Sequence, residues 1–277
     1  MRVATFNILH GASPADGLVD HDVLGASVAT LHADVVALQE VDRHLPRSGE
    51  VDQAAVVAEA VGAADHRFVA AIAGSPGDRW SAADGTEPPD SPAYGIAIVS
   101  RHRVSAWKVL RLPTYRHAPA PYRPPGERMT LVREEPRVAM AAVVETPEGP
   151  LTVVNTHLSF VPWVNRRQVR FLAEALKVLP QPALLVGDLN MGADRVRRLT
   201  SLVPLVEGPT FPVEHPRTQL DHVVAREPVP GTTGQVRLLP VSDHCALVAD
   251  LATLSRPSAR ARRGDVPPSS PAEPGPG

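Results

Sequence analysis

The 277-residue sequence is 43% hydrophobic, enough apolar material for one large α/β domain with a sizeable core. Its 28 basic residues nearly balance 30 acidic ones, so the chain has no strong overall field for a polyanionic backbone, and a dedicated non-specific DNA binder is not favoured. The single cysteine, Cys245, excludes an intramolecular disulfide framework and any thiolate cluster, which leaves oxygen and nitrogen as the donors for a metal.

In chain order, Met1-Arg2-Val3-Ala4-Thr5-Phe6-Asn7-Ile8-Leu9 has too short an apolar run for a signal peptide and reads as a strand, so secretion by that route is not expected. No apolar run approaches the ~20 residues needed to cross a bilayer. The expectation is a soluble, cytoplasmic monomer. Runs rich in β-branched residues predict strands over Val3–Ile8, Asp34–Leu38, Tyr94–Val99, Val138–Glu145, Leu151–Asn155, Ala183–Val186, Leu220–Val224 and Ala246–Leu251. Helical periodicity predicts helices over Val23–Leu31, Gln53–Val61 and Asn165–Val178. Neighbouring strands mixed with strand-helix-strand units argue for α/β layers with mixed sheets. Gly74–Pro92 and Leu112–Pro136, with their prolines and polar residues, read as long loops, either functional or variable surface excursions. From Ser255 onward the composition turns to Arg, Pro, Ser and Gly, which predicts a domain over 1–254 and a disordered tail over 255–277.

Polar residues interrupt the strand ends. Asn7 follows Val3–Phe6, Gln39-Glu40 follows Val35–Leu38, Asn155-Thr156-His157 follows Leu151–Val154, and Asp188-Leu189-Asn190 follows Leu184–Gly187. Each is a candidate ligand or acid/base group, because rigid strands fix the side chains that follow them. A lone carboxylate after a strand is more often a cap or turn residue; the repetition is what points to a site. Leu220-Asp221-His222 and Ser242-Asp243-His244 add a histidine able to transfer protons near neutral pH and a carboxylate to orient its ring. Asp221 is the better ring partner for His244, since the adjacent Asp243 side chain points another way.

The succession Thr5-Phe6-Asn7, Leu38-Gln39-Glu40-Val41, Tyr94-Gly95-Ile96-Ala97-Ile98-Val99-Ser100, Asn155-Thr156-His157-Leu158, Gly187-Asp188-Leu189-Asn190, Leu220-Asp221-His222 and Ser242-Asp243-His244 resembles the endonuclease/exonuclease/phosphatase family, in particular its small bacterial members, from about Arg2 to Leu254. The resemblance implies a deoxyribonuclease I-like four-layered α/β sandwich, two packed mixed β-sheets flanked by helices, with the site at one end. It implies Glu40 as principal metal ligand, with Asn7 and Asp243 helping to hold the metal or its waters. His244 would be the acid/base or phosphate-contacting histidine oriented by Asp221, and His157 would contact the scissile phosphate. Asp188 and Asn190 would position the attacking water and the phosphoryl oxygens. Magnesium, with manganese as substitute, suits such oxygen donors. Arg137 matches an arginine often found at its place in smaller bacterial members and is expected to bind phosphate, a surface ion pair being the alternative. Arg47 is the second choice for a substrate contact.

The expected substrate is a phosphate ester, hydrolysed by metal-assisted water attack. A small or lipid-linked phosphodiester is favoured over DNA or RNA, because the charge is near neutral and the asparagine-containing tyrosine-proline motif of abasic-site nucleases has no obvious counterpart. A non-catalytic module that kept the fold is the competing class, weakened because every metal and histidine position stands. No histidine pair has the helical spacing of a zinc hydrolase. Phe160 and Trp163 are read as packing under a loop or meeting an apolar substrate part or membrane, and Cys245 as a core residue.

Overall fold

The computed structural model describes residues 1–115, 119–122 and 128–252. The elements run β1 (Arg2–Asn7), α1 (His21–Ala29), β2 (Val35–Arg43), α2 (Gln53–Val61), β3 (Asp65–Gly74), β4 (Trp80–Ala82), β5 (Ala93–Ser100), β6 (Val104–Arg111), β7 (Ala120–Tyr122), β8 (Thr130–Val132), β9 (Val138–Thr146), β10 (Gly149–His157), α3 (Pro162–Val178), β11 (Ala183–Asp188), α4 (Ala193–Thr200), β12 (Val203–Pro204), β13 (Asp221–Ala225), β14 (Thr233–Arg237) and β15 (Ala246–Asp250). The tail expected over 255–277 lies outside the described residues. No described helix is long and apolar enough to cross a membrane.

A seven-stranded sheet has the order β14-β15-β1-β2-β5-β3-β4, and a six-stranded sheet the order β12-β13-β11-β10-β9-β6. Both are mixed: β1 pairs parallel with β2 and β10 with β11, while the other pairs are antiparallel. The parallel pairs enclose α1 and α3, the helices that carry the chain back to the same edge. Side-chain alternation then sorts residues into layers. Val3, Val35, Ala37, Ile96 and Ile98 meet Met140, Val153, Leu184, Val186 and Val223 between the sheets. The opposite faces pack on helices: Ala4, Phe6, Val36 and Leu38 against Leu24, Val28, Val57 and Val61, and Val154, Leu185 and Val224 against Val169, Leu172, Leu176 and Val196. This is the four-layered sandwich. Strands buried on both faces are apolar at successive positions, which is why they stood out as runs.

Helix boundaries follow from capping. Asp20 accepts from the Val23 amide at 3.0 Å, starting α1 two residues before the expected Val23. Asp52 caps α2 through Ala54 N at 2.9 Å, and Gly62 closes it with φ +66°. Pro162 opens α3, where its missing N–H is no loss.

A layer of amides sits inside the apolar sandwich. Gln39 Nε2 donates to Asn155 Oδ1 at 2.7 Å and Thr5 Oγ1 at 3.1 Å, and Asn155 Nδ2 donates to the carbonyls of Leu38 and Ala97 at 2.8 Å each. Gln39 and Asn155 are fully buried. They therefore join the two sheets and are not the ligand or acid/base groups that their strand-end positions suggested; satisfied amides are what makes a polar residue tolerable there.

Candidate active site

Parallel pairing brings the ends of β1, β2, β10 and β11 to one edge of the sandwich. Asn7 lies opposite Gln39 and His157 opposite Asp188, while antiparallel β13 begins with Asp221 opposite Asp188. The segment before β15 returns beside β1, where the Ser242 hydroxyl donates to the Asn7 carbonyl at 2.6 Å and accepts the His244 amide at 3.1 Å. One edge thus collects residues from the first strand to the last.

Glu40 reaches this edge by leaving the ladder. The β2–β5 register shifts between Gln39 and Val41, and Glu40 adopts φ +56°. That bulge lets Gln39 face the sheet interface and Val41 the helices while Glu40 turns to the site. A positive φ in a residue other than glycine is strained, and Asn190 (+49°), Ser242 (+73°) and His10 (+46°) at the same end share it.

The side chains interlock around Asp188. Asn7 Nδ2 donates to Glu40 Oε1 at 2.9 Å and to Asp188 Oδ2 at 3.1 Å, while Asn7 Oδ1 accepts from Leu9 N at 3.1 Å. His157 Nε2 and His244 Nε2 lie 3.5 and 3.9 Å from that same Asp188 oxygen. His244 Nδ1 is 2.8 Å from Asp221 Oδ2, the pairing expected from sequence. The Asn190 amide N–H donates to Asp188 Oδ1 at 2.8 Å and its Nδ2 to the Leu158 carbonyl at 2.9 Å.

These contacts separate the histidines electrostatically. Burial works against a charged His244, but the charge and hydrogen bond of Asp221, with Asp188 and Asp243, outweigh it and hold the pKa at about 10. His157 falls well below the usual histidine value through burial and the nearby positive charges of Arg137 and His244. One ring is cationic, the other neutral. Asp188 is pushed up to about 7, by burial and then by Asp221, against the pull of His244 and of the Asn190 and Asn7 donors. Burial likewise raises Glu40; Asp243 adds to the push, while the Asn7 amide opposes it.

Arg137 is 6% exposed and does form an ion pair, with Glu135, but from a buried rather than a surface position. It stands 3.3 Å from Glu135, lines a crevice with Tyr94 and His157, and has its Nε without a hydrogen-bond partner. Arg47 grips Asp42 with two bonds, Nε at 2.8 Å and Nη2 at 2.7 Å, and lies over the Tyr94 ring at 5.6 Å. Asp42 therefore already occupies one edge of the guanidinium expected to meet substrate. Trp163 is 40% exposed and stacks edge-on against Tyr115 at 4.7 Å, and Phe160, 38% exposed, meets Tyr122 at 4.8 Å. Both are half under a loop and half at the surface. Cys245 is buried, as expected of a core residue.

With this geometry the sequence match becomes decisive. A model described as the endonuclease/exonuclease/phosphatase family matches residues 4–244. The chain belongs to this family. Among solved structures it is similar to an endonuclease/exonuclease/phosphatase from Beutenbergia cavernae, with 25% identity, TM-score 0.69, and coverage of 94% of this chain and 73% of that one. It is also similar to a mannosyl-6-phosphatase of Bacteroides thetaiotaomicron, with 16% identity, TM-score 0.59, and 91% and 99% coverage. A sphingomyelinase C from Streptomyces griseocarneus aligns at 15% identity, TM-score 0.55, and 90% and 98% coverage. At those lower identities the likeness is one of fold. No curated protein matches the chain. The family and the named neighbours are hydrolases of phosphate esters.

In this family member, a metal has two candidate donor sets among the described residues. Asp188, Asp221 and His244 offer ligand atoms that all lie within 4.8 Å of one another. His244 is a poor ligand there, because Asp221 occupies its Nδ1 and keeps the ring protonated. Glu40 and Asp243, with Asn7 beside Glu40, form the alternative: two carboxylates whose mutual repulsion helps raise Glu40, the hard oxygen donors that a divalent cation would neutralise. Asn7 points its NH2 at the carboxylates of Glu40 and Asp188.

Sequence reasoning missed the loop that supports the dyad. Thr210 Oγ1 accepts the amides of Leu220 and Asp221 at 3.1 and 3.2 Å, its carbonyl accepts the Cys245 amide at 2.7 Å, and the Phe211 ring lies 4.8 Å from that of His244. Thr210 and Phe211 sit in an irregular segment with no periodicity to flag them. His10, on a turn after β1, is also near the site, its pKa lowered by burial and Arg47.

Proposed function

We propose that the chain is a divalent-metal-dependent phosphoesterase that activates water on a small or lipid-linked phosphate ester. The observation that carries this reading is Asp188 placed between a cationic and a neutral histidine, with Glu40 bonded to the same asparagine. Magnesium, or manganese in its place, would be held by Glu40 and Asp243 with Asn7 steadying the site; when bound it supplies positive charge to the phosphoryl oxygens.

The chain's own groups account for the rest of the reaction. Asp188, at about 7, is able to take a proton from an attacking water near neutral pH, with the Asn190 amide fixing its orientation. Cationic His244, held by Asp221, stabilises charge growing on the phosphoryl group. Neutral His157 donates a hydrogen bond to it, and buried Arg137 adds a fixed positive charge beside His157. The mannosyl-6-phosphatase and sphingomyelinase C neighbours support a non-nucleic-acid substrate, as does the balanced net charge of −2.

Hydrolysis of bis-p-nitrophenyl phosphate tests the reading. His244→Ala should lower kcat by roughly 100-fold or more. Glu40→Gln should raise the magnesium concentration needed for half-maximal rate, and EDTA should abolish turnover until magnesium or manganese is restored. If both variants turn over like wild type, the site assignment is wrong. If plasmid DNA is cut efficiently while small esters are not, a nuclease replaces the small-ester reading.

A further inference from the structure

Beside the proposed phosphate site lies a cavity of about 460 Å³ that the reaction leaves unused. Its walls include Trp80, Tyr115, Pro119, Arg133, Glu134 and Pro136. We propose that this cavity binds the polyol part of the substrate, so that the enzyme acts on phosphate esters of sugars or other polyhydroxylated alcohols. The proposal rests on the phosphoesterase reading and names its substrate class.

Glu134 is the first reason. It is 6% exposed, lines the cavity, and its Oε1 is buried without a hydrogen-bond partner. A buried carboxylate oxygen left unsatisfied is costly, which suits a position that a ligand completes. Ser159, two residues past His157, lies near enough to pull the Glu134 pKa down, against the burial that raises it.

Arg133 is the second. Its guanidinium lies 4.0 Å over the Trp80 ring on the same wall. The cavity thus sets an acceptor, Glu134, beside a donor, Arg133, with aromatic faces around them. A hydroxyl group is both donor and acceptor and satisfies the two at once. An ammonium group has donors only and would be opposed by Arg133, while an acyl chain would leave Glu134 unpaired in an apolar contact. The C–H faces of a sugar or cyclitol ring suit the Trp80 and Tyr115 walls, and the volume falls in the range of small-molecule sites.

Position is the third. Glu134 and Arg137 are close enough to influence one another's charge, and Arg137 lines the crevice at His157. A phosphoryl group at His157 and Arg137 would therefore leave its alcohol within reach of the cavity.

The experiment uses the full chain with magnesium. Wild type, Glu134→Gln, Glu134→Ala and Trp80→Ala are assayed on glucose 6-phosphate and glycerophosphoinositol, on phosphoethanolamine, and on p-nitrophenyl phosphate and its bis ester, whose aryl groups offer no hydroxyl. Wild type should prefer the polyol esters. Glu134→Ala should lower kcat/KM on them about tenfold or more, mainly through KM, and leave the aryl esters within about twofold. Trp80→Ala should act in the same direction, and Glu134→Gln, which keeps an acceptor oxygen, should fall between. An unchanged Tm shows that the variants fold. Equal losses on all substrates, no loss on any, or a wild-type preference for the amine ester or the aryl esters would each overturn the polyol assignment. If wild type hydrolyses no ester, the phosphoesterase reading falls, and calorimetric titration with glucose 6-phosphate decides the cavity separately. Binding heat that is lost in Glu134→Ala supports the assignment; equal heat, or none, overturns it.

Discussion

Replacing Asn155 with alanine should remove the cross-link between the sheets. The side chain is fully buried and makes one bond from Gln39 and two to the Leu38 and Ala97 carbonyls, between 2.7 and 2.8 Å. At about 1 kcal/mol net per bond, the loss is about 3 kcal/mol, before any contribution from the space left behind. Urea unfolding followed by circular dichroism measures it as a lower midpoint at unchanged slope. Gln39→Ala should be similarly harmful, and the double variant less than the sum, with about 1 kcal/mol of coupling. A loss below about 1 kcal/mol for Asn155→Ala, or strict additivity with Gln39→Ala, would show that the apolar layers hold the sheets in register without the amides.

Backbone geometry gives a second contrast. A Cβ on Gly187 (φ +131°) would stand 2.0 Å from the Thr156 carbonyl oxygen, whereas one on Gly192 meets nothing within 4 Å; Gly187→Ala should abolish soluble expression or lower Tm sharply, and Gly192→Ala should leave Tm nearly unchanged. Ser242→Ala should lower kcat about tenfold with little change in KM, because it frees the Asn7 carbonyl and the His244 amide without touching substrate; steady-state kinetics on an aryl ester checks it. Arg2 bonds Asp250 at 2.7 Å and holds its carboxyl below the usual aspartate range. The stability it contributes is present above the unfolded pKa and lost as pH falls through the folded one. With side chains 30% and 38% exposed, Asp250→Asn should cost only about 0.5 kcal/mol at neutral pH and nothing in acid, read from unfolding at the two pH values.

Much of this molecule was legible in its sequence because the informative segments are buried on both sides. β1, β5, β9 and β11 carry apolar residues at successive positions, and α2 was located to the residue because Asp52 and Gly62 mark its ends. Less buried elements were missed for the opposite reason. β6 shows only every third or so residue half-buried, β3 starts with exposed His66 and Arg67, and α4 buries Val196 alone. The presumed loop over Leu112–Pro136 contains the short β7–β8 pair, and Gly74–Pro92 contains β4. At the site, ordered motifs gave the His244–Asp221 pairing. They did not reveal the bulge at Glu40, the orientation of the Asn7 amide, or the support of Asp221 by Thr210, since those depend on backbone torsions and on a distant loop.

The bond between Ser242 and Asn7 joins residues 235 positions apart. Its partners lie in the first strand and just before the last, and β15 is the strand that covers the outer side of β1. A ribosome must therefore release nearly the whole domain before the histidine meets its carboxylates. Closing so long a loop is slow, so β1 should wait as an unpaired edge during synthesis, open to the wrong neighbours. A chain cut anywhere before Val241 loses sheet edge and chemistry together, and partial products should be insoluble rather than weakly active.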